Sequence, residues 1–158
     1  MTSNTARRRP IPRVFALLAV AAVVGARPAA AALGDDVASV RADQLRIEGT
    51  LRTSAMPGYV VHEIQAPTGT LVRELASPAG AVFGVSWEGP FLPDLRRLLG
   101  SSFDAYATAA RAARHGRGPL LLRLPGLVFE SSGHPRGFRG RAYIPELVPE
   151  GVLAEAIR

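Results

Sequence analysis

The chain has 158 residues and a mass of 16.7 kDa. That is room for one domain, since domains usually run to about 100 to 200 residues, and a multidomain enzyme is excluded. With 47% hydrophobic and 20% charged residues it can build a core, which excludes a disordered chain. The formal charge of +6 suggests nucleic acid or a membrane surface only until it is located: five of the 19 basic residues (Arg7, Arg8, Arg9, Arg13, Arg27) fall in the first 31 positions with no acidic residue, leaving 14 basic against 13 acidic, a net of +1.

Met1 to Arg13 are polar and basic, Val14 to Ala26 are uniformly apolar or small, and Arg27 to Ala32 end in alanines. This is the order of a secretory signal peptide over residues 1–31, cut after Ala31, with Ala30 and Ala32 as near-equal alternatives, leaving a single domain over 32–158. A membrane anchor needs roughly 20 apolar residues, and this run stops at Arg27-Pro28, so no transmembrane anchor is expected after cleavage. Pro10-Ile11-Pro12 behind Arg7-Arg8-Arg9 favours the general export route over the twin-arginine one. The expected destination is the periplasm, with the extracellular space second. The chain has no cysteine, which excludes a lipid anchor on a cysteine, disulfides, thiol catalysis and cysteine-bound metals.

In chain order, Asp35 or Asp36 can cap a helix carrying Val37, Val40, Ile47 and Leu51, with Gly49 ending or weakening it. Tyr59 to Ala66, Thr70 to Ser77 and Ala81 to Glu88 read as three strands. Their joints, Ala66-Pro67-Thr68-Gly69-Thr70 and Ser77-Pro78-Ala79-Gly80-Ala81, share one design. Proline presets the second turn residue and glycine takes the left-handed position that closes a short hairpin loop. The register follows: Ile64 faces Val72, Glu63 faces Arg73 and His62 faces Glu74, then Leu75 faces Phe83, Arg73 faces Val85 and Leu71 faces Trp87. Alternation puts Tyr59, Val61, Leu71, Leu75, Phe83, Val85 and Trp87 on the core face, and Val60, His62, Ile64, Val72, Glu74, Val82, Gly84 and Ser86 on a mixed face.

Further on, Pro93 suits the first turn of a helix through Leu99, and Ser101 or Ser102 caps a second from Phe103 to Arg114. Gly116 to Pro119 form a loop, Leu120 to Leu124 and Leu127 to Ser131 are strands about a Pro125-Gly126 turn, and Gly133-His134-Pro135 leads into a strand from Arg136 to Ile144. The tail from Pro145 is coil with one helical turn at Val152 to Ile157. The fold class is α+β: an antiparallel sheet, a meander plus a further hairpin, packed against helices.

Two constellations could carry chemistry. His62, Glu74 and Ser86 share the mixed face, but neighbouring strands lie about 4.8 Å apart, so Ser86 sits roughly 9 to 10 Å from the histidine strand. A nucleophile needs its base within about 3.2 Å, which leaves His62 and Glu74 as an ordinary cross-strand pair and only weak catalytic candidates. The three histidines, His62, His115 and His134, are too scattered for a metal pair, and no metal or cofactor is expected. Arg136, Arg139 and Arg141 gather around His134, with Arg139 and Arg141 on one face of a strand and Phe138, Gly140 and Ala142 on the other. They read either as an anion site or as a charged edge strand that blocks aggregation.

Ala32-Leu33-Gly34-Asp35, Gly58-Tyr59-Val60-Val61-His62-Glu63, Ser77-Pro78-Ala79-Gly80, Trp87-Glu88-Gly89-Pro90, Leu99-Gly100 and Gly137-Phe138-Arg139-Gly140-Arg141-Ala142-Tyr143 together resemble the exported bacterial family called domain of unknown function 2844. The resemblance implies export and supplies neither an activity nor a catalytic residue. The expectation is an exported, non-catalytic envelope module for interaction or ligand binding. Its partner would be an anionic envelope component or another exported protein, not nucleic acid. The alternative is a small periplasmic hydrolase or isomerase using His62 and Glu74.

Overall fold

Turn chemistry builds most of the sheet. In the computed structural model, which describes residues 32–113 and 118–158, Gly69 and Gly80 stand at φ +91° and +85°, the left-handed region where glycine avoids the Cβ clash. Both loops close as expected, with Ala66 N–H donating to Thr70 C=O at 2.9 Å and Ser77 N–H to Ala81 C=O at 2.8 Å. They join β2 (Tyr59–Gln65), β3 (Leu71–Ala76) and β4 (Val82–Gly89) into an antiparallel meander. The expected leader and His115 lie outside the described residues.

One strand went unread in the sequence. The helix α1 spans Ala38–Ile47, Glu48 takes the left-handed position at its end, and the chain turns straight into β1 (Thr50–Met56). Leu51, expected on the helix, belongs to this strand. Gly49 is needed here for space, since a Cβ would lie 2.9 Å from the Gln65 carbonyl oxygen. Pro57-Gly58, with Gly58 at φ +82°, turns β1 into β2, with Met56 opposite Tyr59.

After β4, Asp94 rather than Pro93 starts α2 (Leu95–Leu99), its carboxylate accepting from the Arg96 and Arg97 N–H groups at 3.1 and 3.4 Å. α3 (Phe103–Ala113) follows, then β5 (Leu120–Leu124), β6 (Leu127–His134) and β7 (Gly137–Tyr143). The seven strands form one sheet in the order β1-β2-β3-β4-β7-β6-β5, every pairing antiparallel. The molecule is thus an α+β domain, as expected, but β7 lies between β4 and β6. The edge-strand reading of Arg139 and Arg141 is corrected by this topology: both stand in the interior of the sheet.

The register of β2 on β3 is the expected one, while that of β3 on β4 holds for only one residue. A β-bulge makes Phe83 an extra residue: Leu75 pairs with Gly84 and Ala76 with Val82, so Arg73 faces Ser86, not Val85, and Leu71 faces Glu88, not Trp87. A one-residue slip sends every later side chain to the opposite face. Val85 and Trp87 therefore join Ile64, Val72 and Val82 in the main core beneath the helices, with Val40, Leu98, Leu99 and Phe129. Tyr59, Val61, Leu75 and Phe83 face the other way and are roofed by the C-terminal tail, whose Ile157 is fully buried against them. Both faces are therefore apolar beneath a cover, where a single core face was expected.

Candidate functional site

Glu74 stands opposite His62 in the register, yet the two make no hydrogen bond. Both Glu74 carboxyl oxygens and His62 Nε2 are buried without a partner, while His62 Nδ1 shares a hydrogen bond of 3.1 Å with Thr53 Oγ1. Glu74 is 0% exposed, on the sheet face that α1 covers, and Asp43 of that helix is itself only 3% exposed. Burial first, and then the negative charge of Asp43, push the Glu74 carboxyl up to about 8, so it is protonated at neutral pH. Burial lowers the His62 imidazole from its ordinary 6.5. Glu74, neutral and enclosed under the helix, has no route to a substrate, and general acid–base work needs one, whereas His62 stays partly exposed with its Nε2 turned inward.

Ser86 is separated from this pair by more than distance. The bulge turns it to the opposite, open face of the sheet, in register with Arg73 on one side and Arg141 on the other. Across that face the register aligns Arg52, Glu63, Arg73, Ser86, Arg141 and Glu130 in one transverse row. Arg73 Nε bonds Glu63 Oε1 at 2.8 Å, and Arg141 Nε bonds Glu130 Oε2 at 2.8 Å. The Glu130 carboxylate holds the Arg141 guanidinium above its ordinary pKa. Ser86 Oγ lies buried between the two arginines with no partner.

Arg141 also holds the tail: its Nη1 donates to the Ala154 carbonyl at 2.7 Å. Beside the tail, the open face forms a groove of about 1320 Å³, walled by Met56 and Tyr59 at one end and Leu121 at the other, with Arg73, Arg139 and Arg141 along it. Of the four expected anion-site residues, the structure brings only Arg139 and Arg141 to this groove. Arg141 is committed to Glu130 and the tail. Arg139 pairs with Glu88 at 2.9 Å, with side chains 70% and 58% exposed, which leaves its guanidinium open to exchange partners. His134 and Arg136 sit in the β6–β7 turn instead, where His134 Nδ1 lies 3.1 Å from the Pro135 carbonyl oxygen and Arg136 is held at φ +70°. They line a smaller, adjoining hollow that shares Glu88 and Arg139 with the groove, so His134, Arg136 and Arg139, three of the four expected residues, meet there.

Sequence reasoning missed Arg73 as a groove residue because it weighed that side chain only as the partner of Glu63, while Ser86, turned to this face by the bulge, is too deeply buried to line the groove. Among the described residues no three His, Cys, Asp or Glu side chains come together as a metal site. Nor is any helix among them long and apolar enough to cross a membrane.

The fold and groove define a class: a small α+β domain with one sheet face under helices and the other half open. The family described as "Protein of unknown function (DUF2844)" matches residues 29–157, and the chain belongs to it. No curated protein and no solved structure matches the chain.

Proposed function

We propose that the protein is an exported, non-catalytic module that binds an anionic envelope component along the groove of its open face. The observation that carries this reading is the contrast in access. The groove presents a largely exposed Arg139 beside apolar walls, whereas Glu74, the carboxyl an enzyme would pair with His62, is closed off beneath α1 and makes no hydrogen bond to it. Export rests on the leader pattern in residues 1–31 and on a family match that begins among its closing alanines. The periplasm is the destination that this leader favours.

Arg139 gives the clean test because replacing Arg141 would also release the tail. Retention of the wild-type protein on vesicles carrying anionic lipid should weaken from low to high salt, as the Debye length falls from about 10 Å at 0.1 M to about 3 Å at 1 M. Arg139→Gln should be retained less at low salt with an unchanged melting curve. Equal retention of the two proteins at low salt would overturn the anionic reading. The hydrolase or isomerase alternative predicts an imidazole signal of His62 that moves when ligand is added, and a ligand-indifferent His62 in a proton NMR titration removes it.

A further inference from the structure

The two edges of the sheet are built differently. β5 is five residues long, follows Pro119, carries Arg123 and packs against α3, all devices that keep an edge from recruiting another strand. β1 shares only the single charge, Arg52. It is seven residues long, pairs with β2 without a bulge, contains one charge and no proline, and five of its seven residues are exposed. Its outer row of backbone donors and acceptors has no strand partner among the described residues.

We infer that β1 pairs antiparallel with β1 of a second copy, about a two-fold axis through Thr53, joining two sheets into one of fourteen strands, twice the seven of one copy. Strand chemistry selects both partner and register. Antiparallel neighbours must meet with matching hydrogen-bond phase, so a two-fold axis has to pass through a residue position. An axis at Arg52 opposes two arginines, which is destabilising. An axis at Ser54 leaves Thr50 and Leu51 without partners. At Thr53 all seven residues pair: Thr50 with Met56, Leu51 with Ala55, Arg52 with Ser54, and Thr53 with its own copy, so that no like charges meet.

The axis is normal to the sheet, so both open faces point the same way. Ser54 and Met56 line the end of the groove nearest β1, and the two grooves become one surface across the seam, each copy contributing these residues. A strand of seven residues is small beside the roughly 20 to 30 residues a side of a standard interface, so the dimer is concentration-dependent. The inference does not depend on what the groove binds.

Sedimentation velocity of the purified protein over a range of concentrations should show monomer giving way to dimer, and a monomer at every concentration would overturn the pairing. The register has its own test. Ser54→Glu sets a carboxylate opposite Arg52 twice per dimer and should tighten association about five-fold, whereas Ser54→Arg should weaken it about as much. Equal effects of the two changes would refute the axis at Thr53. Because the native chain has no cysteine, Thr53→Cys should form an intermolecular disulfide under mild oxidation. Thr50→Cys should not, its copies being about 20 Å apart in this register. Cross-linking at 50 as efficient as at 53 also overturns it.

Discussion

The two faces of this one sheet are held by opposite means. Under the helices, Trp87, Phe129 and Tyr106 pack in succession, with ring centroids 5.6 and 4.4 Å apart, and even a carboxyl group, Glu74, is kept in its neutral form there. On the open face arginine and glutamate alternate across strands, and apolar cover comes from a single strap of chain ending in Ile157. β4 serves both faces, because the bulge at Phe83 reverses its side-chain phase part-way along. Stability should therefore reside mainly in the helix face, and surface chemistry in the open one.

The strongest test of that division is Gly140→Val. Gly140 underlies Trp87, and a Cβ there would meet Trp87 Cζ2 at 2.3 Å and the Glu130 carbonyl oxygen at 2.7 Å. Neither a sheet carbonyl nor a packed indole can yield cheaply, so a loss of about 3 kcal/mol or more is expected. Trp87 is the only tryptophan, so its fluorescence in a urea titration reads the damage at its source. A variant as stable as the parent would show that the aromatic stack does not hold the helix face.

The open face is tested by Ile157→Ala. Ile157 is 0% exposed and fits the space left by Gly84, where a Cβ would approach its side chain to 3.1 Å. Removing a buried isoleucine side chain costs about 2 to 4 kcal/mol. Early opening of the tail, read by hydrogen exchange at residues 152 to 158, should accompany the loss.

Glu74 separates the faces by pH. Its folded pKa of about 8 lies above the ordinary 4.5, so the folded state holds the proton longer than the unfolded one. That contribution is fully present below 4.5 and is lost as pH rises through about 8. His62, lowered from 6.5, acts in the opposite sense: its contribution is lost as pH falls below 6.5. Of these two groups the glutamate alone acts between pH 6.5 and 8, and its contribution should fall by up to about 1.4 kcal/mol per pH unit. Chemical denaturation at several pH values should show that fall in the wild type and its absence in Glu74→Gln.

Legibility in the sequence followed how local the determinant was. The two hairpin joints were readable because proline and glycine act within five residues, and β5 was readable from a short apolar run between turns. β1 was not, since Thr50 to Met56 offers little alternation and only Pro57-Gly58 marks its end. The bulge was illegible because Val82-Phe83-Gly84-Val85 is apolar throughout, so adding one residue changes no visible pattern while reversing the face of Ser86 and Trp87. The interior place of β7 depends on its non-local pairing with β4, and with it went the surroundings of Arg139 and Arg141. Of the candidate site, the sequence thus yielded Arg139, Arg141 and the His62–Glu74 pairing, but neither the groove nor the burial that silences Glu74.

The smallest effects belong to the hairpin glycines, and they show that glycine is needed for two different reasons. A Cβ at Gly69 would lie 3.5 Å from Pro90, and one at Gly80 would lie 3.7 Å from Asp36 Oδ2, both ordinary contacts. The cost of Gly69→Val or Gly80→Val comes from the positive φ alone and should be about 1 kcal/mol or slightly more. Asparagine tolerates that region better than valine does, so Gly69→Asn and Gly80→Asn should recover much of the loss in thermal melts. Gly140 has no positive φ and lacks only space, so Gly140→Asn should be no better there than Gly140→Val. Asparagine rescue at Gly140, or none at the hairpins, would mean that crowding and backbone strain have been assigned to the wrong glycines.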